Sequence, residues 1–425
     1  MKKIIITDFF TTLSKKHFLK SFAFLTYKLP YIRVWKYSQK IEKKLLDYLN
    51  LRESRIISFY NARSAIFHCL KMIWIKKDDE IIINSYNCIS VVNSIIQAKW
   101  NPIYAEIDKK TLSFDLELLE SRITDKTKVI IVQHTFWKSA PINKIKEIIE
   151  KYNLVVIEDC SHSLWSKYDD LKHGSFFDFS IFSTWRDKVI SSVNGWFLVI
   201  NNEEYFKKIS NIKRNLVLPP ISLVCKNLTY NIVWILSLKT YSFFWLWKAI
   251  IYLSRKLWII NEILEKEEKE CNNEDLNYML PNSLAALALY DMHRIFFYQR
   301  DREEIATFYD ENIENNYFKP VFRELVIETL NYFRYPILFK SEEIMEDFYN
   351  YMKSNKILLW RTWNGSNIVP VWSNLEKAMY KSDCLVAEEI ANKILFLPNN
   401  KNINKKDLRR ILNLIDTYVY IKHDN

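Results

Sequence analysis

A lysine in "FSTWRDKVISSVNGW" (182–196) and an aspartate in "VVIEDCSHS" (155–163) are the side chains best placed for chemistry. Each follows a run that reads as a buried strand. Lys188 beside an aldehyde could form a Schiff base, helped if burial depresses its pKa; an arbitrary lysine is more often a solvated one. Asp159 ends its strand, and a buried carboxylate is costly unless it meets a cation or several donors. One such partner is a protonated pyridine nitrogen, as in pyridoxal phosphate chemistry. The ordinary alternative is a cap on the next helix, and on the residue alone the two readings balance. His162, three residues further on, could lie against the same ring, although lone histidines are more often structural. Ser183 and the "ARSA" turn (62–65) could bind a phosphate through a hydroxyl and free backbone N–H groups at a helix start, or serve as a plain cap.

The elements that must position these residues alternate between short apolar runs and helical patterns. "DEIIINSY" (79–86), "NPIYAEID" (101–108), "KVIIVQHTF" (128–136), "NLVVIEDC" (153–160), "DFSIFST" (178–184) and "WFLVIN" (196–201) read as strands. "SAIFHCLKMI" (64–73), "CISVVNSIIQA" (88–98) and "NKIKEIIEKY" (143–152) read as helices between them. Strands this apolar are covered on both faces, which predicts a three-layer α/β domain with a mostly parallel sheet. Ligands of such sheets sit beyond the carboxyl ends of the strands. His134, Asp159, His162 and the Ser183–Lys188 segment all fall at that edge. The expected organisation is a helical lead-in (1–50), a large domain (51–215), an apolar and aromatic helical insert with a linker (216–275), and a helix with a smaller α+β domain (276–425).

Composition narrows the class. The chain has 425 residues, 49% hydrophobic and 26% charged, which suits a soluble protein with a large core. Six scattered cysteines without a CxxC pair argue against a zinc site or a disulfide framework and fit a reducing, cytoplasmic setting; no metal is expected. The opening "MKKIIITDFFTTLSKK" is interrupted by Asp8, so no signal peptide is read. The net charge of +11 suits an anionic partner. With no zinc-finger spacing and no basic region followed by heptads, nucleic acid ranks last among such partners. Residues 227–260 are apolar with regularly spaced Lys239, Lys248, Arg255 and Lys256. They read as a helical hairpin packed on the domain or on a partner subunit, with a membrane-surface helix as the alternative.

From about residue 50 onward the chain resembles the DegT/StrS-type sugar aminotransferases, which are pyridoxal-phosphate enzymes of fold type I. "IEDCSHS" resembles the family's "EDCAHS" segment, and "FSTWRDKVISSV" its lysine loop. "DEIIINSYNCISVVNSIIQAKWNPIYAEIDKKTLSFD" follows the run that ends in the family's "PVFVDID". "LNYMLPNSLAALAL" resembles its "NYRMSEIQAA" helix, and "CLVAEEIANKILFLP" its "CPVAEELAERVLSLP" segment. The resemblance implies that Lys188 is the Schiff-base lysine, that Asp159 pairs with the pyridine nitrogen and that His162 lies near the ring. It also implies that Ser183, with the backbone at Arg63 and Ser64, holds the phosphate of pyridoxal 5′-phosphate. Asn277 matches an asparagine that reaches the neighbouring subunit's phosphate, which implies a homodimer. The implied substrates are a keto-sugar on a nucleotide and an amino donor such as glutamate. Cys88 stands where an aromatic often stacks on the ring, and "NARSA" replaces the family's "SGTSA". Lys188 argues against the family branch that carries histidine there and dehydrates sugars. Two other readings stay open: a non-catalytic, membrane-associated relative that binds a sugar or lipid-linked partner through the insert, and a pyridoxal enzyme acting on amino acids.

Three glycines and 14 tryptophans are out of line for a chain of this size. Family members usually have glycine where this chain has Trp74, Trp100, Trp137, Trp165, Trp185, Trp196 and Trp360. Random substitution would not choose the largest side chain each time. The pattern raises the expectation that UGA codons are read as glycine in the cell and as tryptophan in the conceptual translation.

Overall fold

The computed structural model describes residues 4–7, 12–33, 36–74, 76–240, 246–257, 259–260, 277–323, 330–361 and 375–423. The charged run 265–270 and Gly365 lie outside these residues. The strands are β1 (Ile5–Ile6), β2 (Arg55–Phe59), β3 (Glu80–Asn84), β4 (Asn101–Ala105), β5 (Thr127–Gln133), β6 (Val155–Asp159), β7 (Lys167–Tyr168), β8 (Leu171–Lys172), β9 (Phe179–Ser183), β10 (Trp196–Ile200), β11 (Phe318–Pro320), β12 (Tyr335–Phe339), β13 (Ile357–Leu358) and β14 (Ile394–Leu397). The helices are α1 (Lys15–Leu25), α2 (Lys36–Leu49), α3 (Ala62–Ile73), α4 (Ile89–Gln97), α5 (Leu116–Ser121), α6 (Ile142–Tyr152), α7 (Phe206–Asn215), α8 (Ile221–Thr240), α9 (Leu246–Lys256), α10 (Asn282–Met292), α11 (Ile295–Asn312), α12 (Glu342–Ser354), α13 (Leu385–Ala391) and α14 (Lys405–His423).

Seven strands form one sheet in the order β2-β10-β9-β6-β5-β3-β4. β9, β6, β5, β3 and β4 run parallel, whereas β10 is antiparallel to both β2 and β9. The sheet is mixed and mostly parallel, with helices on both faces. Alternate residues feed two cores, as the pleat requires. Ile81, Ile83, Val129 and Ile131 join one cluster with α3 and α4, and Ile82, Ile130, Val132 and Val156 join another with Ile142, Ile145 and Ile148 of α6. Both faces being buried explains why these strands read as unbroken apolar runs.

The insert packs on the body of the protein. α8 buries Val224, Leu228, Tyr230 and Val233, and its Asn231 donates to Ser21 of α1 at 3.1 Å. Tyr230, Val233 and Ile260 close over Val193. By length and composition α8 could cross a membrane, but 39% of its apolar stretch is buried inside the structure. At the other end, β11, β12 and β14 form an antiparallel sheet over a core with Tyr309, Ile337, Phe348 and Ile411. β1 runs parallel to β13, so the first residues of the chain are stitched to this smaller sheet.

Two described glycines sit where a side chain cannot. A Cβ at Gly174 (φ +98°) would collide with the Phe182 ring, and one at Gly195 with the hydroxyls of Thr184 and Ser192. Tryptophan occupies comparable backbone. Trp74, Trp137 and Trp165 have φ of 58°, 112° and 109°. Trp100, Trp185, Trp196 and Trp360 do not share this conformation, and at the Lys99–Trp100 turn the left-handed residue is Lys99. Trp74 is the left-handed C-cap of α3 and is 82% exposed, with Lys208 Nζ 6.0 Å from its ring centroid, so little packing offsets its strain. Left-handed backbone costs an L-residue about 1–2 kcal/mol. Trp74→Gly should therefore raise the unfolding free energy by about 1 kcal/mol, read as a higher urea midpoint with an unchanged slope.

Candidate active site

The site is assembled from register. β5, β6 and β9 end at one edge, with Gln133 opposite Asp159 and Asp159 opposite Ile181, two residues short of Ser183. Across β10, Trp196 pairs with both Ser183 and Phe59. Phe59, three residues before the start of α3, thus lies two strand spacings, about 10 Å, from Ser183. Lys188 follows β9 in a turn closed by its own N–H on Trp185 O at 3.0 Å.

Asp159 is 7% exposed. Its Oδ1 accepts the Ser161 N–H at 2.9 Å and the Ser161 hydroxyl, while Oδ2 accepts nothing from the described residues. The capping role and a further partner are therefore both served by one carboxylate. His162 is buried between Phe136, ring centroids 5.8 Å apart and nearly parallel, and Phe333. Burial, with the charge of Lys188, pushes its pKa well below the usual histidine range, so the ring is neutral. Asn61 caps α3, its Oδ1 accepting both the N–H and the hydroxyl of Ser64 at 2.9 and 2.8 Å. The first N–H groups of a helix have no acceptor in the helix itself, so the start of α3 can face an anion. The Ser183 hydroxyl accepts from Trp185 N at 3.1 Å. Cys88 stands half-buried at the N-terminus of α4. Asn277, exposed, meets His68 of its own chain at 3.1 Å.

His134 is drawn into a separate buried network. Its Nε2 donates to Glu158 Oε1 at 2.9 Å and its Nδ1 accepts from Ala140 N. Glu158 also accepts the N–H groups of Gly174 and Phe176. His134, Glu158 and Cys160 are close enough to surround an ion, but both ring nitrogens are committed, and burial pushes the Cys160 thiol pKa well up. This network fastens β5 to β6 below the site.

Three buried charges from later in the chain hold the lysine loop. Arg334 donates through Nη2 to Asp187 Oδ2 at 3.0 Å and more weakly to Asp187 O. Arg302 of α11 donates to Val189 O at 3.0 Å. Burial lowers its pKa to about 10, which leaves it charged at neutral pH. Asp291 of α10 accepts Ser191 N at 3.0 Å and faces His17 of α1 at 3.2 Å. Burial works to raise the Asp291 carboxyl, and His17, Lys401 and Thr12 together outweigh it, holding the group below its usual range. Each residue from 187 to 191 except Lys188 and Ile190 is thereby tied by a charged group, and Lys188 is presented between two tied neighbours. Val193, β-branched at φ 73°, stores strain at the end of this loop.

Sequence reasoning did not find Asp291, Arg302 or Arg334. Asp291 left a signal, a carboxylate in the apolar helix "SLAALALYDM". Arg302 left none, because "QRDREE" reads as a solvated face. Arg334→Leu should cost about 3 kcal/mol by stranding Asp187, and the Asp187→Leu, Arg334→Leu double variant less than that. Denaturant unfolding checks both, and a double variant as unstable as the two single losses added would contradict the pairing.

The DegT/DnrJ/EryC1/StrS aminotransferase family model matches residues 28–217 and 262–416. GDP-perosamine synthase of Vibrio cholerae is 26% identical over 178 residues, 42% of this chain and 48% of that protein; the match thus spans about half the length of that relative. dTDP-4-amino-4,6-dideoxy-D-glucose transaminase of Shigella dysenteriae is 24% identical over 382 residues, 89% of each chain. Among solved structures, the Helicobacter pylori aminotransferase PseC aligns with a TM-score of 0.74 at 20% identity, covering 99% of this chain and 100% of that one. The PLP-form of the putative sugar aminotransferase Spr1654 from Streptococcus pneumoniae aligns at 0.73 and 16%, covering 100% and 99%. Likeness at this identity establishes the fold, that of the type I pyridoxal-phosphate aminotransferases. With the matched segments spanning both the sheet edge and the charges that hold its lysine loop, the chain belongs to the DegT/DnrJ/EryC1/StrS aminotransferase family.

Proposed function

We propose that the chain is a pyridoxal 5′-phosphate-dependent aminotransferase that converts a nucleotide-linked keto-sugar to an amino-sugar in the cytoplasm, with glutamate as donor. The observation that carries this reading is the convergence of Lys188, Asp159, His162 and Ser183 on one sheet edge. The residues fit the cofactor. The open Oδ2 of Asp159 suits a protonated ring nitrogen, and the start of α3 with Ser183 suits a phosphate dianion. Relatives named as transaminases and synthases of nucleotide-linked amino-sugars support the substrate class, and the net charge of +11 suits a diphosphate.

When bound, the cofactor supplies an electron sink for charge that develops at the substrate carbon. Asp159 keeps a proton on the ring nitrogen. Lys188 Nζ is the base that takes the proton from the amino-bearing carbon of the donor. His162, neutral and wedged between Phe136 and Phe333, offers a ring without a competing charge. Ser183 and the backbone at Arg63 and Ser64 hold the phosphate, Cys88 lies at the rim, and Asn277 serves the phosphate of the neighbouring subunit in a homodimer.

Reduction of the loaded protein with borohydride should leave a pyridoxyl mass on the peptide that holds Lys188. Lys188→Ala should lose that adduct and lower transamination by on the order of a thousandfold or more. A Lys188→Ala protein that still transaminates at the parent rate would remove the assignment.

A further inference from the structure

We propose that Arg186 binds an anionic group of the substrate, a carboxylate or a phosphate. The inference rests on the aminotransferase reading above. Arg186 lies two residues from Lys188 and is 5% exposed. Its Nε and Nη1 are fully buried and donate to nothing. Its guanidinium lies against two rings, 4.3 Å from the centroid of Trp185 and 4.4 Å from that of Tyr230. Among the described residues no carboxylate stands within ion-pair distance of it. The nearest in sequence, Asp187, gives its Oδ2 to Arg334. Arg302 and Arg334 also leave one buried donor each unbonded, but both spend others on the lysine loop.

A buried cation with vacant donors is costly and calls for a partner. Nε and Nη1 lie on different edges of the guanidinium, and each can give a charge-assisted hydrogen bond to an oxygen of a carboxylate or phosphate. Neighbouring polar groups suit a ligand. Asn194 keeps a buried, unbonded Oδ1, and its Nδ2 leads to Asn227 of the insert at 3.4 Å, which donates to the Tyr60 hydroxyl. The insert thus contributes Tyr230 and Asn227 to one wall of this site.

The test compares wild type with Arg186→Gln and Arg186→Lys in two arms. One follows the cofactor's absorbance as glutamate is added. The other measures competitive inhibition by UDP and by inorganic pyrophosphate. The expected result for Arg186→Gln is a rise in KM or inhibition constant of about tenfold to a hundredfold in one arm. kcat should stay within about twofold, cofactor loading should be unchanged, and Arg186→Lys should recover part of the loss. The glutamate arm would identify a donor carboxylate, and the UDP arm a phosphate of the sugar acceptor. Should Arg186→Gln fail to fold, Arg186→Lys alone decides, because a lysine keeps the charge without the guanidinium's fixed donors. A wild type that loads cofactor, with variants equal to it in both arms, overturns the anion site alone. A wild type that takes no cofactor overturns the parent reading and the anion site with it.

A separate observation carries a second inference. The geometry points to glycine, not tryptophan, at positions 74, 137 and 165 in the protein the cell makes, through a UGA codon read as glycine. Trp137 and Trp165 have φ of 112° and 109°, beyond the left-handed basin that other residues visit. Gly174, at 98°, shows which residue such backbone takes. Trp74 sits at a helix C-cap where glycine is the usual choice, with its indole in solvent. Peptide masses of protein from its own cells should show glycine at all three positions. Tryptophan masses there, or UGG codons in the gene, would overturn the inference.

Discussion

The pairing of buried charges with the backbone of residues 187–191 is the constraint on which the rest of the site depends. A lysine that works as a base must hold its amine at one place; the loop between β9 and β10 closes partly on itself, through Thr184 N–H on Gly195 O and Arg186 N–H on Val193 O, and residues 187, 189 and 191 are held from outside it. Arg334, Arg302 and Asp291 supply the rigidity from three different elements. Each charge is buried, so each would be destabilising alone. The loop amides and carbonyls they meet would be unsatisfied without them. Loop and charges are thus stable only together, which couples the fold of the C-terminal elements to the position of Lys188. His17 extends the coupling to the first helix through Asp291.

This coupling explains what could be read in the sequence and what could not. The strands were legible because burial on both faces leaves an unbroken apolar run, and Asp159, Ser183 and Lys188 were legible because they end or follow such runs. The partners of the lysine loop lie 100 or more residues away in sequence: Asp291 in an apolar helix, Arg302 on a helix of mixed faces and Arg334 just before β12. Arg302 is 1% exposed in a stretch that reads as wholly solvated. No local pattern separates a buried arginine from an exposed one when the burying element comes from elsewhere in the chain. The same limit hid the pairing of Ile5–Ile6 with Ile357–Leu358.

The insert was ambiguous for a related reason. A helix with an apolar stretch and spaced cations fits a membrane surface and a protein surface equally well by composition. Its polar residues show which face packs on the protein: Asn227 and Asn231 point inward to Tyr60 and Ser21.

The two inferences meet at one side chain. Trp185 lies on the guanidinium of Arg186 and is among the positions where family members usually carry glycine. Its backbone φ is ordinary, so strain says nothing about it. What Trp185 does is cover: with Tyr230 on the other face, its indole buries the guanidinium, so the burial of Arg186 rests on a position outside the three where backbone strain assigns glycine.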